Sequence, residues 1–581
     1  MKRLRFLTAG ESHGPGLLGI LEGLPSHLPL QASDLDRDLA RRQKGYGRGG
    51  RMRIEQDAAE IVSGVRFGAT LGSPLGLMVR NKDFASWTDR MGAAPGGPDP
   101  RPVLVPRPGH TDLSGGLKYG HLGDLRNVLE RASARETAMR VALGGAAKAL
   151  LRDLGIEVGS YVRSIGGVEA DDAAVVAADL FCHDAEALAL QADETETRAL
   201  TPAGSERLVE RINAAMKRRD TVGGVVEVVV THVPNGLGSH VHFDRKLDAR
   251  LSEALMSIHA IKAVEVGDGF RGGISYGSEQ HDPLALAGGR VVRSSNHAGG
   301  LEGGITNGEP LVLRAVMKPI ATVSAALPSF NVRSHEAVPA HVERSDTCAV
   351  PAAGVVAEAM VALALADAVL EALGGDTMAS LRAPFAKLRM STRTRPGHIF
   401  LIGPMGAGKT TTGVALAGRL GVPFVDLDRE IEQKHGATVA QIFASHGEAH
   451  FRELELAQLR EVCRRPPGVV ALGGGTLLTD AGWRAARDSG VVVRLEAPLE
   501  VLLERLRGEP GGLAGRPLLA AEPDARSPQG TLETLLAERE RWYARADVSL
   551  RTEGLTPVSA ADGIVALVRS LEGPLANGRA R

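Results

Sequence analysis

Gly403-Pro-Met-Gly-Ala-Gly-Lys409-Thr410 joins a short apolar run, 398–402, to an amphipathic segment, 411–420. Glycines at this spacing let backbone N–H groups curl around phosphate oxygens, and a helix starting there adds its positive N-terminal end. A lysine in this place reaches β- and γ-phosphates, and the following hydroxyl takes a position on Mg²⁺. Strand, glycine turn and helix in that order predict a nucleotide-binding P-loop, with Gly406, Ala407, Gly408, Lys409, Thr410 and Thr411 around the phosphates. A second short strand, 422–425, ends in Asp426-Leu-Asp428. Alternate residues of a strand point the same way, so both carboxylates suit a site beside the P-loop, one for Mg²⁺ and one for a substrate hydroxyl; a helix N-cap at Asp428 is compatible with that role. Arg452 follows in a helical segment, where an ion pair with Glu455 is the ordinary reading. Gly473, Gly474 and Gly475 close a strand at 469–472, the end at which open α/β sheets bind ligands. Arg516 stands in a Gly/Pro/Ala-rich stretch, 508–528, read as a lid over phosphates, and Arg539 precedes Trp542-Tyr543.

A second set of chemistry-bearing residues lies before position 350. Gly10-Glu-Ser-His13-Gly14 puts an imidazole on a glycine-flanked turn, suited to proton transfer near neutrality or simply to a hairpin with a solvent-facing His13. Between Arg37 and Arg53 the cations Arg41, Arg42, Lys44, Arg48 and Arg51 mix with Gly45, Gly47, Gly49 and Gly50. This predicts a mobile basic loop that closes on an anion, with a solvated loop or a nucleic-acid contact as alternatives; Tyr46 is the only ring there for base stacking. Pro106 and Pro108 keep 103–112 extended and present Arg107 and His110, a pair suited to protonating a leaving oxyanion, or a rigid surface loop. A helix is expected from about 129 through Leu151, with Arg131 and Arg135 sharing a face. Five glycines between 299 and 308 indicate backbone pressed against a ligand or a set of strained turns.

The elements that position these residues belong to two cores. The chain has 581 residues, 43% of them hydrophobic, which predicts several domains. Lys plus Arg number 68 and Asp plus Glu 69, so no global field draws the chain to nucleic acid or an anionic membrane. Cys182, Cys348 and Cys463 are far apart, against a disulfide framework or a Cys-based zinc site. Residues 1–6 are basic without a long apolar stretch behind them, which argues against a secretion signal. No run approaches the roughly 18–20 apolar residues of a membrane span, and a cytoplasmic protein is expected. Strands are expected at 224–231 and 291–293, and a long amphipathic helix at 351–373. A P-loop opens a domain, so one placed two-thirds along predicts two proteins joined: an α/β multidomain chain with domains at 1–388 and 398–572, a polar linker at 389–397 and a disordered tail at 573–581.

Taken in order, Gly10–Gly14, the Arg42/Arg48 loop, Arg107-Pro-Gly-His110, the segment 131–140, the segment 294–304 and Arg344-Ser-Asp346 resemble chorismate synthase over about 1–385. The resemblance implies a β-α-β sandwich, a homotetramer, and the 1,4-elimination of phosphate from 5-enolpyruvylshikimate-3-phosphate to give chorismate. Reduced FMN is then required, with NADPH as reductant where the enzyme renews its own flavin. Arg107 and Arg135, with Arg42 and Arg48 in the same clamp and bordering the cofactor, would hold the substrate's carboxylates and phosphate. His110 would protonate the departing phosphate, His13 would hold the flavin's protonation state, and Asp346 would relay a proton from it. Arg131, Ala132, Ser133, His259, Ala260, Gly303, Lys318, Pro319, Ile320, Ala321, Thr322 and Arg344 fall where the family contacts FMN. Some members read Gly-Arg-Ser where this chain reads Glu130-Arg131-Ala132.

Over about 397–570, the P-loop, Asp426-Leu-Asp428, Phe451-Arg-Glu453, the three glycines, Arg516-Pro-Leu and Arg539 resemble shikimate kinase. That implies a parallel sheet flanked by helices, with Asp428, Arg452, Gly474 and Arg539 holding shikimate. Asp428 would draw the proton from the 3-hydroxyl, Lys409 and Arg516 would serve ATP, and Thr410 and Asp426 would hold Mg²⁺. Together the resemblances imply a bifunctional enzyme of aromatic amino acid biosynthesis. A flavin-dependent lyase whose P-loop part only senses nucleotide or mediates assembly is the alternative, and the full set of Asp426, Asp428, Arg452, Arg516 and Arg539 speaks against it. A nucleic-acid-binding ATPase is a third reading, opposed by the near-neutral charge and the 3% aromatic content.

Overall fold

The computed structural model describes residues 3–49, 56–95, 99, 101–171, 184–287, 289–343, 345–393, 397–508, 528–572 and 575. By packing they form two units, Met1–Pro283 with Arg293–Met378, and Leu284–Val292 with Ala379–Arg581.

In the first unit, Leu17 and Leu21 of the strand Gly16–Glu22 face inward while Leu18 and Ile20 face out, the period-two pattern of a sheet with one buried face. This strand pairs antiparallel with Arg5–Ala9 and Leu75–Arg80, and Glu60–Ser63 completes a four-stranded sheet. A second antiparallel sheet has five strands in the order Ile261–Val266, Leu311–Met317, Gly224–Thr231, Glu157–Ile165, Val168–Glu169. The helix Thr137–Asp153 packs on the first sheet, where a Cβ on Gly19 would fall 2.4 Å from the Met139 sulfur. The helix Val350–Leu373 packs on the second sheet and on Thr137–Asp153. The layers are therefore sheet, helix pair, sheet, the sandwich the sequence implied.

Val350–Leu373 was expected to be amphipathic; it is buried on nearly every side instead. It is also long and apolar enough to cross a membrane, contrary to expectation, and its place between two sheets accounts for that composition. Its fully buried Glu358 accepts from Arg41 (2.7 Å), Lys148 (2.6 Å), Ser160 (2.7 Å) and Arg198 (3.2 Å). That network fixes the helix Ala32–Gln43, so half of the predicted mobile basic loop is rigid: Arg41 and Arg42 are buried helical residues, and the glycines that break the helix come only afterwards. The helix expected from 129 is also interrupted. Arg126–Leu129 ends, Ser133 is extended (φ −68°, ψ 141°), and the long helix starts at Thr137. Arg131 and Arg135 consequently share no face.

The second unit has a parallel five-stranded sheet in the order Phe424–Asp426, Val469–Ala471, His398–Ile402, Gly490–Glu496, Val548–Arg551. Ile399 and Leu401 of the central strand join one core, and Phe400 and Ile402 join the core on the opposite face. Burial on both faces is what a parallel sheet with helical crossovers demands. The helix Met378–Arg389 belongs here from Ala379 onward: Ala386 and Met390 enter one core, and Arg389 donates to Asp547 at 2.8 Å. Within the stretch read as a linker, Met390 and Arg393 are thus buried, while 394–396 lie outside the described residues. Arg344, Arg516 with nearly all of the predicted lid, and nearly all of the predicted tail also lie outside them.

Candidate active sites

Three linked polar clusters gather most of the predicted residues of the first unit. In one, Arg42 is buried, donating to Thr137 Oγ1 (2.8 Å) and the Ala134 carbonyl (2.9 Å), while its Nη1 is buried without a hydrogen-bond partner. Burial and the nearby Arg48 push its guanidinium down to about 9, still charged at neutral pH. Arg48 lies 3.3 Å from Asp346, whose other oxygen accepts from the Gly49 N–H at 2.7 Å. Arg135 is held by both oxygens of Asp57 (2.6 and 2.7 Å) and by Asn81 (3.0 Å). The cations Arg42, Arg48 and Arg135 outnumber the carboxylates Asp57 and Asp346, and a buried cation excess with an unmet donor fits an incoming anion.

The second cluster is built on the fully buried Asp112, which starts the helix Asp112–Tyr119. It accepts from Arg107 Nε (2.8 Å) and lies 2.6 Å from His110 Nδ1; Arg107 also donates to Thr322 Oγ1 at 3.0 Å. Burial alone would raise the Asp112 carboxyl, but hydrogen bonds from His110 and Arg107 outweigh it and hold the group well below the usual range. A carboxylate only accepts, so Nδ1 of His110 carries hydrogen, and the ring's second nitrogen, Nε2, 3.4 Å from Arg107 Nη2, is the one left open to proton exchange. Lys318 closes the cluster through the Gly109 carbonyl (2.7 Å), and its own N–H donates to the Ala260 carbonyl (2.9 Å). That bond zips 318–322 to His259-Ala260, where Ala260 sits at φ +65°. The Ile320 carbonyl, between Pro319 and Ala321, accepts from Thr221 at 2.8 Å. His259 Nδ1 is buried with no partner, and burial lowers the ring's proton affinity.

The third cluster surrounds His13, whose Nδ1 lies 2.9 and 3.0 Å from the two oxygens of Glu130. Ser133 Oγ, 3.2 Å from Ser12 Oγ, links this turn to the Arg135 cluster. Arg131 is half exposed and donates to Thr8 and Gly10; neighbouring Ala132 contributes only a backbone bond to Val128. Gly303 forms the exposed tip of the hairpin Leu301–Glu302/Ile305–Thr306 at φ +59°, and no described hydrogen bond joins it to these clusters. Asp57, Asp112, Glu130 and Trp87 were not singled out from sequence. For the three acids the only sequence signal is a carboxylate near a predicted cation or imidazole, which is common on any surface, and Trp87 carries none.

In the second unit the P-loop sits at the carboxyl end of the central strand, with Gly406 and Gly408 at φ +79° and +87°. Lys409 Nζ bonds to the Gly403 and Pro404 carbonyls (2.9 and 3.0 Å), Thr411 Oγ1 caps back to Gly408, and the Ala407 N–H donates to Pro404. Thr410 Oγ1 lies 2.8 Å from Asp426 Oδ2, two oxygens placed together as a hard divalent cation requires. Asp428 Oδ1 is buried without a partner, and burial, with Glu455 and Asp426 nearby, pushes its carboxyl up to about 6. Around it converge Glu455, bonded to Arg452 and to Thr476 Oγ1 (2.6 Å), and the Gly474 carbonyl, which accepts from Arg539 (3.2 Å) and Tyr543 (2.8 Å). A Cβ on Gly475 would fall 2.1 Å from Arg452 Nη1, so only glycine admits the guanidinium there. Buried Glu455 and Tyr543 join this cluster, where the sequence alone indicates an ion pair for Glu455 and no role for Tyr543.

Residues 4–370 match the family model for chorismate synthase, and 405–569 match that for shikimate kinase. A chorismate synthase of Pelobacter propionicus is 54% identical over 388 residues, covering 65% of this chain and 96% of that protein. A chorismate synthase crystal structure superposes with a TM-score of 0.53 at 43% identity, covering 66% of this chain and 96% of the other. A shikimate kinase of Acinetobacter baumannii in complex with shikimate is 38% identical, covering 30% of this chain and 94% of its own, with a TM-score of 0.28.

Proposed function

The chain belongs to the chorismate synthase family and carries a shikimate kinase domain behind it, and from that premise we propose which residues perform each reaction and where the chain divides. The functional division is placed at about position 378, with the helix Met378–Arg389 on the kinase side. The observation that carries the synthase assignment is the buried Nη1 of Arg42, 3.7 Å from Asp57 and without a hydrogen-bond partner, within a cation excess. Arg42 and Arg48 would meet the anionic groups of 5-enolpyruvylshikimate-3-phosphate and of FMN. Arg107 and Arg135, already locked by Asp112 and Asp57, would present fixed positive charge rather than mobile arms. His110, steered by Asp112, would give the proton at Nε2 to the departing phosphate oxygen. His13 and Asp346 would hold and pass protons next to the cofactor. His259, with its unpaired Nδ1, and the zipped segment 318–322 fit a bound polar ring system, and Arg344 and Gly303 are assigned there by resemblance. Reduced FMN, renewed with NADPH where the enzyme reduces its own flavin, supplies the electron chemistry when bound.

On the kinase side, Asp428 would take the proton of the shikimate 3-hydroxyl as that oxygen attacks the γ-phosphate. Its unpaired Oδ1 and its raised proton affinity suit an acceptor for a hydroxyl. Arg452, Gly474 and Arg539 would bind the ring and its carboxylate. Lys409, now on its own loop's carbonyls, would move to the phosphates, Thr410 and Asp426 would hold Mg²⁺, and Arg516 would cover ATP. The product, shikimate-3-phosphate, is not the synthase's substrate, so a separate enolpyruvyl transferase must act between the two reactions. A homotetramer and a cytoplasmic location complete the proposal. The test is direct: the purified chain should form chorismate from enolpyruvylshikimate phosphate under anaerobic conditions with reduced FMN, and release ADP from ATP only with shikimate present. Absence of shikimate-dependent ADP release would leave the sensor reading.

A further inference from the structure

We propose that Glu130 is the positioning residue for His13, fixing the imidazole with hydrogen on Nδ1 and its lone pair on Nε2; the inference rests on the proton-holding role given to His13 above. Three hydrogen bonds tie the two residues: both Glu130 oxygens to Nδ1, at 2.9 and 3.0 Å, and the His13 backbone N–H to Oε2 at 2.8 Å. The Glu130 carbonyl takes a fourth bond, from the Ser12 N–H at 3.1 Å. The tautomer of a histidine is set by the bond its other nitrogen makes, and a carboxylate at Nδ1 leaves one choice. Trp87 stacks on the ring at 4.0 Å between centroids, which fixes the ring plane while Glu130 fixes its rotation.

The brace is itself braced. Glu130 is 3% exposed, and Arg126 donates to it at 3.0 Å and to Glu343 at 3.1 Å. Arg126 also lies 5.0 Å from the Trp87 ring. Glu343 stands 3.2 Å from His341 Nε2, so the chain of charges runs from the His13 turn to the segment that leads to Asp346. Burial alone would raise the Glu130 carboxyl, but hydrogen bonds from His13 and Arg126 hold it below its ordinary range, so it stays an acceptor.

A double-mutant cycle separates positioning from packing. Glu130→Gln should lower kcat for chorismate formation about tenfold with KM within about twofold, and Glu130→Asp should fall between it and wild type. In a His13→Ala background, with residual activity about 10²–10³ below wild type, Glu130→Gln should cost nothing further beyond about twofold. Shikimate phosphorylation by the same chains and binding of reduced FMN report that each variant is folded. Wild-type kcat in Glu130→Gln, or an equal loss in both backgrounds, overturns the proposal alone. Full activity in His13→Ala overturns the role of His13, and the proposal with it.

Discussion

His110 Nδ1 and Asp112 Oδ1 are 2.6 Å apart, and the same carboxylate holds the guanidinium of Arg107. One buried acid therefore orients both His110, the proposed proton donor, and the cation beside it. Asp112→Asn keeps the shape but removes the charge, and it should lower kcat for chorismate formation roughly 100-fold while raising KM as Arg107 loosens. Steady-state assays with reduced FMN measure both. A change confined to KM would show that His110 needs no help from Asp112.

The buried Asp428 carboxyl weakens the fold when it ionises. Its folded carboxyl titrates at about 6, above the ordinary value of 3.8, chiefly through burial. A raised carboxyl binds protons more tightly when folded, so ionisation burdens the fold fully above pH about 6 and not at all well below 4. Asp428→Asn should thus stabilise the kinase unit by about 1–3 kcal/mol at pH 8, by little at pH 4, and abolish shikimate phosphorylation. Denaturant unfolding followed by Trp483 and Trp542 fluorescence at both pH values checks the sign. For the wild-type kinase, kcat/KM should fall as pH drops through about 6, since Asp428 must be ionised to accept a proton.

The sandwich depends on two helices touching through a glycine. A Cβ at Gly144 would lie 2.3 Å from Ala359 Cβ and 2.6 Å from its Cα. Gly144→Ala forces Thr137–Asp153 and Val350–Leu373 apart and should destabilise the synthase unit by about 1–3 kcal/mol, with kinase kcat unchanged. Unfolding curves and the two assays on one preparation decide this.

How much was legible in the sequence follows from where the information is stored. The strand His398–Ile402, the P-loop and the strand Gly224–Thr231 were readable because local pattern and local structure agree there. The break before Ser133 and the burial of Arg41 were not, because both depend on partners far along the chain: Asp57 for Arg135, and Glu358 for Arg41. The helix Val350–Leu373 is apolar on nearly every side, so its own residues do carry the signal of a buried helix; only the identity of the sheet and second helix that cover it depends on the rest of the chain. At the candidate sites, the motifs singled out titratable and cationic residues that the fold gathers, while the carboxylates that hold them, Asp112, Glu130 and Asp57, had no motif of their own. A locking carboxylate has no spacing rule of its own; only the folded chain pairs it.

The most direct test of two separate active sites on one polypeptide is a paired assay of Lys409→Ala and Asp346→Asn. Lys409→Ala should remove shikimate-dependent ADP release by at least about 10²-fold and leave chorismate formation within about twofold of wild type. Asp346→Asn should do the reverse. Loss of both activities in either variant, with the chain still folded, would contradict the division into two independent sites.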